Sequence, residues 1–211
     1  MQIELRNVSY RYNKSSPWIL KNINLKIDSK ERIALIGPSG YGKSTLAKLM
    51  SGYLTPCQGT VLWNNKKLKE KEYCPVQMIY QHPEKAVNPR WKMKDILYEG
   101  EKIEDDIIKE MGIENSWLNR WPSELSGGEL QRFCIARVLN KKTKFLICDE
   151  ISTMLDVITQ AQIWNLLLSI SNKRKIGMLI VTHNIELAKK VSSRIINISD
   201  LNNIDVKETD I

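Results

Sequence analysis

The feature that most constrains this chain is a glycine-rich loop that follows a short apolar run and precedes a stretch of helix-forming residues. The loop fits the pattern G-x-x-x-x-G-K-[ST], in which backbone N–H groups and the positive end of the following helix dipole surround phosphate oxygens. The pattern predicts binding of a nucleoside triphosphate, with Lys43 neutralising the β- and γ-phosphates and the Ser44 hydroxyl ligating Mg²⁺; an ordinary glycine-rich turn is the alternative. The predicted binding residues are Gly37, Pro38, Ser39, Gly40, Tyr41, Gly42, Lys43, Ser44 and Thr45.

The composition excludes several other classes of protein. The chain has 211 residues and a formal net charge of +8, so it can bury a full core. Its four cysteines show no C-x-x-C spacing and it has only two histidines, which supports neither a zinc site nor a disulfide framework. No apolar run is long enough to cross a bilayer. The lysines are spread in pairs, as at 66–67, 141–142 and 189–190, so we expect no nucleic-acid partner.

Hydrophobic patterning predicts an α/β fold with an antiparallel flank. Residues 2–10 and 23–28 alternate apolar and polar side chains, as half-buried antiparallel strands do. Residues 33–36, 145–148 and 178–181 are continuously apolar, which is typical of strands covered on both faces of a parallel sheet. Helical periodicity separates these runs, at residues 43–51, 129–139, 159–170 and 185–191.

Residues 82–128 have a different character. They lack strand signals, contain Pro83, Pro89 and Pro122, and carry short amphipathic pieces at 93–98 and 103–111. We expect an inserted α-helical subdomain. The predicted organisation is a single domain over 1–211, with a catalytic core formed by 1–81 and 129–211 and a helical subdomain at 82–128.

Two further segments identify a family. Residues 125–132, Leu-Ser-Gly-Gly-Glu-Leu-Gln-Arg, resemble the signature motif of ABC transporter ATPases. In physical terms Ser126, Gly127 and Gly128 form a second anion site, because they leave backbone N–H groups free at the start of a helix. Residues 145–150 form a buried strand that ends in two carboxylates and resembles the Walker B element of the same family. The resemblance extends from residue 1 to about 199 and implies a P-loop NTPase core that binds ATP and Mg²⁺.

The resemblance also implies a catalytic role for several residues. Asp149 would hold the Mg²⁺ shell, and Glu150 would act as the base or orienting group for the attacking water. Gln81 matches the Q-loop glutamine, which touches the metal or the water. His183 matches the switch histidine, which hydrogen-bonds the γ-phosphate or the water.

Two more positions match family elements that contact the base or a partner. Tyr12 lies where the family places an aromatic ring on the adenine, with Tyr10 as a second candidate and ordinary packing as the alternative. Asp156 fits the D-loop, which contacts the opposite subunit. The implied assembly is a head-to-tail dimer in which ATP lies between the phosphate loop of one subunit and the signature motif of the other.

The chain departs from the usual family pattern without losing a catalytic group. Glu129 replaces a common glutamine, Ile151 replaces a common proline, and Thr153 and Met154 replace serine and alanine. We expect the carboxylate at position 129 to prefer a ribose hydroxyl to a phosphate. We expect the changes at positions 151, 153 and 154 to alter the geometry of the D-loop and therefore its contact with the opposite subunit.

Residues 81–90 after the Q-loop, with Asn88-Pro89-Arg90, and residues 128–137 resemble the importers of peptides and nickel. This resemblance implies permease subunits in the membrane, a second ATPase subunit in a homodimer or heterodimer, an extracytoplasmic solute-binding protein as an indirect partner, and a position at the cytoplasmic face of the cell membrane. A groove around 81–91 would receive a permease helix, with Trp91, Trp117 and Trp121 either lining it or forming the subdomain core. The alternatives are an energy-coupling-factor importer ATPase for vitamins or metals and a non-transport ATPase of DNA repair or translation.

Overall fold

The computed structural model describes residues 1–68, 73–100 and 102–202. Two β-sheets organise this part of the chain: an antiparallel sheet in the order β2-β1-β4-β5 and a parallel sheet in the order β6-β7-β8-β3-β9. The strands are β1 (Gln2–Tyr10), β2 (Leu20–Asp28), β3 (Arg32–Ile36), β4 (Gln58–Trp63), β5 (Lys66–Lys67), β6 (Val76–Ile79), β7 (Phe145–Asp149), β8 (Gly177–Val181) and β9 (Arg194–Asn197). The predicted α/β class with an antiparallel flank is confirmed.

Helices cover both faces of the parallel sheet. The helices are α1 (Lys43–Met50), α2 (Met93–Leu97), α3 (Asp105–Glu110), α4 (Gly127–Val138), α5 (Val157–Arg174), α6 (Ile185–Val191) and α7 (Ile198–Leu201). Along β7, Phe145 and Ile147 pack into one apolar cluster with α1 and β1, whereas Leu146 and Cys148 pack into a second cluster with α4 and α5. Because both faces are buried, the strand has to be apolar at every position.

The segment 82–128 contains short helices and no strand among its described residues. The turns Pro83–Lys85, Asn115–Trp117 and Pro122–Glu124 accompany α2 and α3. The apolar faces of α2 and α3 share one buried cluster with α4 and α5, so this segment packs onto the core through the helix that follows it. Its division from the core as a separate subdomain stays a prediction, and residues 203–211 of the predicted core lie outside the described part of the chain.

The sequence did not predict β4, β5, β9 or α7. Strand β4 contains Gly59 at a φ of 78°, where an added Cβ would lie 2.3 Å from the carbonyl oxygen of Asn7. Glycine is depleted in strands and is required there by the close approach of a neighbouring backbone, so the pattern gives no strand signal. Strand β9 is a four-residue edge strand, and short edges carry little periodicity.

The three tryptophans of the helical segment differ in environment. Trp117 packs against Phe133 of α4, with ring centroids 6.5 Å apart, and contributes to the apolar cluster. Trp91 and Trp121 are 42% and 41% exposed. Among the described helices none is both long and apolar enough to cross a membrane.

Candidate active site

Four parallel strands deliver the predicted site residues to one edge of the sheet. The glycine-rich loop follows β3, and Gln81 follows β6. Asp149 ends β7 with Glu150 directly after it, and His183 follows β8. The register pairs Asp149 with Val181, so the ends of β7 and β8 lie side by side. Ligand sites of open parallel sheets lie at the carboxyl ends of the strands, and this edge has that position.

The glycines of the loop adopt backbone conformations that other residues rarely adopt. Gly40 and Gly42 have φ values of 83° and 87°, in the left-handed region. An added Cβ at Gly42 would lie 2.9 Å from Leu20 Cδ2. Gly42 also caps α1, and no side chain among the described residues bonds to the amides that open this helix. The first turn of α1 therefore keeps its N–H groups for an anion from outside the chain.

Lys43 folds back onto its own loop. The side chain is buried, with 6% exposure, and its Nζ donates to the carbonyl oxygens of Gly37 at 2.8 Å and Pro38 at 2.7 Å. Burial lowers the pKa of the ammonium group, and the charges of Glu150 and Asp149 oppose that shift. A buried cation at the mouth of the loop is placed to meet phosphate oxygens.

Ser44 and Asp149 form a pair of oxygen ligands. The Ser44 hydroxyl donates to Asp149 Oδ1 over 3.1 Å, and Asp149 is 7% exposed. Burial raises the pKa of Asp149, while the hydrogen bond from Ser44 lowers it. A hydroxyl and a buried carboxylate suit Mg²⁺, which takes few protein ligands and completes its shell with phosphate and water. The described residues hold no group of three or more His, Cys, Asp or Glu side chains that could bind a metal alone.

Glu150 lies in a strained position with its carboxylate held on both oxygens. Its φ is 49°, in the left-handed region, and its N–H donates to the carbonyl oxygen of Val181 at 3.0 Å. Gln81 Nε2 donates to Glu150 Oε2 at 3.2 Å, and His183 Nδ1 lies 3.4 Å from Glu150 Oε1. Strain of this kind persists only where the surroundings enforce it, which is typical of functional sites. The structure thus joins the three residues that the sequence predicted as catalytic.

Thr153 is a residue of this site that the sequence analysis treated only as a departure from the family pattern. Its hydroxyl oxygen accepts a hydrogen bond from Gln81 Nε2 at 3.2 Å and donates to the carbonyl oxygen of Glu150 at 3.1 Å. Thr153 therefore links the Q-loop to the segment after β7. Thr153 lies three residues after Glu150, and at that spacing a threonine hydroxyl can close a turn. This spacing is the signal by which the sequence could have indicated the residue.

Tyr12 faces the loop, whereas Tyr10 does not. The Tyr12 ring is 55% exposed and its hydroxyl lies 3.4 Å from Thr45 Oγ1. Tyr10 is 8% exposed within β1 and meets the Tyr12 ring edge to face, with centroids 5.2 Å apart. The expectation of an aromatic ring stacked on a base therefore depends on Tyr12.

A cavity of about 510 Å³ unites most of these groups. The signature residues Ser126, Gly127 and Gly128 do not line it. The residues that line the cavity are Tyr12, Ile19, Ser39, Gly40, Gly42, Lys43, Ser44, Thr45, Gln81 and Glu150.

The signature segment forms a closed cap at the start of α4. Ser126 Oγ accepts from the N–H of Glu129 at 3.3 Å, and Glu129 Oε2 accepts from the N–H of Ser126 at 2.7 Å. This reciprocal pair is a capping box. From the sequence we expect the Glu129 carboxylate to bind a ribose hydroxyl, but it accepts a hydrogen bond from the N–H of Ser126 instead. The pattern Ser-x-x-Glu before an apolar run predicts this capping bond.

Asp156 caps α5 in a similar way. Its Oδ1 accepts from the N–H groups of Ile158 and Thr159, each at 3.0 Å, and its Oδ2 accepts from the Thr159 hydroxyl at 2.6 Å. These bonds, led by that of the Thr159 hydroxyl, lower the pKa of Asp156. Three apolar side chains beside this cap are strongly exposed: Met154 at 66%, Val157 at 79% and Ile158 at 72%.

Sequence comparisons give the same family throughout. The family model described as ABC transporter matches residues 20–153. The nickel import ATP-binding protein NikE of Escherichia coli strain K12 is 34% identical over 196 residues, covering 84% of this chain and 73% of NikE. The oligopeptide transport ATP-binding protein OppF of Haemophilus influenzae is 32% identical over 198 residues, covering 84% of this chain and 59% of OppF.

Solved structures agree with these sequence matches. The ATP-binding cassette MJ0796, in a dimeric post-hydrolysis state with ADP and Pi, superposes with a TM-score of 0.78 at 26% identity, covering 92% of this chain and 93% of that chain. The protein cbiO1 of Clostridium perfringens, part of the ABC transporter complex cbiONQ, superposes with a TM-score of 0.77 at 26% identity, covering 92% and 83% of the two chains.

Proposed function

The chain belongs to the ABC transporter family and is an ATPase of that family, and from that premise we propose that it powers an importer of a small solute. The solute is a peptide, nickel or a metal chelate, and ATP-driven closure of a dimer supplies the work. NikE and OppF, by their names, act in nickel import and oligopeptide transport, which supports this branch. The Asn88-Pro89-Arg90 segment is a second support.

One observation carries the proposal: the glycine-rich loop and a carboxylate held by two polar side chains meet at one cavity, and Ser44 of its lining bonds to the buried acid Asp149. The loop supplies N–H donors and a buried cation, and Glu150 supplies a base at the same edge. Phosphoryl transfer needs positioning and charge stabilisation, with little covalent chemistry from the protein. The residues of this cavity provide both.

In binding, the loop from Gly37 to Thr45 wraps the phosphates, Lys43 moves from the loop carbonyls to the β- and γ-phosphates, and Tyr12 stacks on the adenine. Ser44 and Asp149 are the residues that would hold Mg²⁺, with Gln81 at the edge of its shell. The metal, when bound, neutralises charge on the phosphate oxygens.

In hydrolysis, Glu150 orients the attacking water and accepts its proton. Gln81 and His183 fix the two oxygens of that carboxylate, at 3.2 Å and 3.4 Å. A held carboxylate loses less orientational entropy when the water arrives, and its remaining lone pairs still accept a proton. His183 is also placed to donate to the γ-phosphate.

The complete site requires a second subunit. Ser126, Gly127 and Gly128 lie outside the cavity of their own chain, so their anion site serves a nucleotide bound by another. The two MJ0796 structures matched by this chain are described as dimeric, which supports a head-to-tail pair. The pair is a homodimer or a heterodimer with a related ATPase. An ATP held by the loop of one chain would also meet the signature residues of the other, so ATP favours the closed pair and hydrolysis releases it.

The membrane contact falls in the helical segment. A groove of about 480 Å³ lies among Trp91, Lys94, Asp95, Tyr98 and Glu99, so it lies after the expected segment 81–91, and of the three expected tryptophans only Trp91 lines it. Trp91 and Tyr98 are 42% and 45% exposed, and large exposed aromatic rings between charged neighbours are typical of interaction surfaces. This groove would receive a short permease helix and place the chain at the cytoplasmic face of the membrane. A solute-binding protein outside the cell would feed the permease.

An energy-coupling-factor importer of vitamins or metals is the second candidate. The match to cbiO1, from a transporter complex named cbiONQ, favours it. The two candidates differ in the permease that they drive, and fold alone does not select a solute.

The experiment that separates the candidates is purification of the tagged chain from its own membranes, with identification of the co-purifying permease. A peptide- or nickel-type permease supports the proposal, and an energy-coupling-factor permease supports the alternative. In the purified complex, Glu150→Gln should keep ATP binding and lower turnover at least about 100-fold, the scale of a lost general base.

Glu186→Gln is the control for that variant, because the Glu186 side chain forms an exposed ion pair with Lys189 at 2.9 Å and such pairs contribute little. We expect its turnover to match the unmodified complex. Undiminished turnover of Glu150→Gln would contradict the proposed role of Glu150.

A further inference from the structure

The starts of α4 and α5 lie side by side. An added Cβ at Gly128, in the first turn of α4, would lie 2.9 Å from the Cγ2 methyl of Thr159, in the first turn of α5. One turn further along, Arg132 Nη2 donates to Gln162 Oε1 at 3.0 Å. Two contacts one turn apart fix both the separation and the register of the two helices.

Thr159 carries out two tasks with one side chain. Its hydroxyl donates to Asp156 Oδ2 at 2.6 Å, and its backbone N–H donates to Asp156 Oδ1 at 3.0 Å. Its methyl group lies under Gly128, where only a glycine leaves room for it. The hydroxyl therefore holds Asp156, while the methyl group supports the turn formed by residues 126–129, here called the signature turn.

Arg132 extends this connection to the helical segment. Its Nη1 donates to the carbonyl oxygen of Met111, the residue that follows α3. One guanidinium thus joins α3, α4 and α5, and its planar geometry fixes the direction of both bonds. The signature turn is tied to its neighbours on two sides.

We propose that Thr159 is a positioning residue that couples Asp156 to the signature turn, so that the two surfaces presented to the partner subunit move as one body. The inference rests on the proposed function, because both surfaces act across the dimer. Thr159 does not line the cavity at the glycine-rich loop, and it acts through Asp156 and Gly128. When the signature turn shifts on contact with the partner's ATP, the D-loop then shifts with it, and no other residues have to transmit the movement.

The side-chain chemistry of threonine makes this proposal testable with a matched pair of variants. Thr159→Ser keeps the hydroxyl and removes the methyl, and Thr159→Val keeps the methyl and removes the hydroxyl. If Thr159 only stabilises α5 as a capping partner, Thr159→Val disturbs α5 alone and Thr159→Ser has almost no effect.

The first measurement is hydrogen exchange in the full chain without nucleotide, which does not depend on the proposed function. Coupling predicts that Thr159→Val raises exchange at residues 129–132 of α4 as well as at residues 158–161 of α5, and that Thr159→Ser raises exchange in both segments. Thr60→Val in β4 makes the same chemical change outside both helices and should leave them unaltered. Exchange that rises in α5 alone would overturn the proposal.

The second measurement is ATP turnover in the complex with its permease. Thr159→Val and Thr159→Ser should each lower kcat about tenfold and raise KM about threefold, because disturbing either surface displaces both the D-loop and the signature turn. A change in kcat alone for Thr159→Val together with a change in KM alone for Thr159→Ser would overturn the proposal, whereas an unmodified complex without turnover would contradict the proposed function instead.

Discussion

Two helix starts in this molecule share one geometry and differ in what fills it. Helix α1 begins at Gly42 in a left-handed conformation, without a capping side chain among the described residues and without an acidic residue in its first turn. Helix α4 begins at Ser126 with a closed capping box and an acidic residue, Glu129, in its first turn. The N–H groups at the start of α1 are open to an anion from outside the chain. At the start of α4 the carboxylate of Glu129 already accepts a hydrogen bond from the N–H of Ser126.

Under the proposed function, the difference would explain how one family motif acts alone and the other only in a pair. At α1 the free N–H groups and Lys43 would bind phosphate without losing any internal hydrogen bond of the helix. At α4 an arriving phosphate meets the carboxylate of Glu129, which already neutralises the positive end of the helix dipole. Binding at α4 therefore needs a nucleotide that is already held elsewhere.

The largest expected effect comes from removing the charge at the open start. Lys43→Ala should weaken ATP binding more than about 100-fold, or roughly 2.7 kcal/mol, because a buried cation is lost next to the phosphates. Titration calorimetry with Mg²⁺-ATP measures it. Lys30→Ala, on an exposed turn at the opposite end of β3 from the loop, should bind ATP as the unmodified chain does. Equal affinities for the two variants would show that the loop does not hold the phosphates.

The next effect concerns the acid beside the open start. Asp149→Asn should reduce the Mg²⁺-dependent part of ATP binding about tenfold, or roughly 1.4 kcal/mol, while the carbonyl oxygen still accepts from Ser44. Burial raises the pKa of Asp149, so the folded state binds the proton more tightly and loses stability as the pH rises through the shifted value.

Unfolding measurements test that sign. Above pH 6 the Asp149→Asn chain should be at least as stable as the unmodified chain, because the asparagine carries no buried charge. The difference should shrink as the pH falls toward the ordinary aspartate pKa of 3.8. A less stable variant at neutral pH would contradict the inferred cost of burying this carboxylate.

A smaller effect lies inside α4. The side chain of Gln131 is 1% exposed, and neither of its polar atoms has a hydrogen-bond partner in the described structure. Gln131→Met removes a buried polar group that costs about 1–3 kcal/mol when unpaired, so we expect the free energy of unfolding to rise by about 1 kcal/mol. Denaturant titration measures this change.

Gln160→Met is the matched control with the opposite sign. Gln160 Nε2 donates to Ser152 Oγ at 2.8 Å, so its replacement breaks a made bond and should destabilise the chain. Destabilisation by both variants would mean that the Gln131 amide is paired after all.

The smallest effect tests the closed start directly. Glu129→Gln can keep the capping box while it removes the negative charge. In a chain that also carries Glu150→Gln, the affinity of the two subunits for each other in the presence of ATP should therefore rise about twofold, and by less at high salt. Light scattering against ATP concentration measures this pairing. Glu124→Gln is the control, because Glu124 also accepts from a backbone N–H, that of Trp121 at 2.6 Å, in a different turn. Equal responses of the two variants would remove the contrast between α1 and α4.

Sequence patterns predicted the framework of the fold better than its edges. Helix α6 begins and ends at the residues that the periodicity predicted. The apolar run at 145–148 covers all of β7 except its last residue, Asp149. These elements are fully specified by burial, which periodicity reports. Strand β4 depends on the backbone of Asn7 approaching Gly59, and such a tertiary contact leaves no periodic trace.

The candidate site shows the same division. The loop glycines and the acids that end β7 follow from the chemistry of phosphate and metal binding, so the sequence indicates them directly. The contact of Thr159 with Gly128 joins residues from two helices, and a single sequence holds no record of which helices become neighbours. The capping box at Glu129 is local and was readable from Ser-x-x-Glu.

The resting position of Lys43 bears on how the protein begins a new cycle. Its ammonium group donates to two neutral carbonyls of its own loop and makes no ion pair there. When product leaves, the cation therefore has a ready place to return to, and no neighbouring acid has to rearrange to shield it. We therefore expect the empty site to reset by a side-chain rotation of Lys43, with these two carbonyl oxygens as its end point.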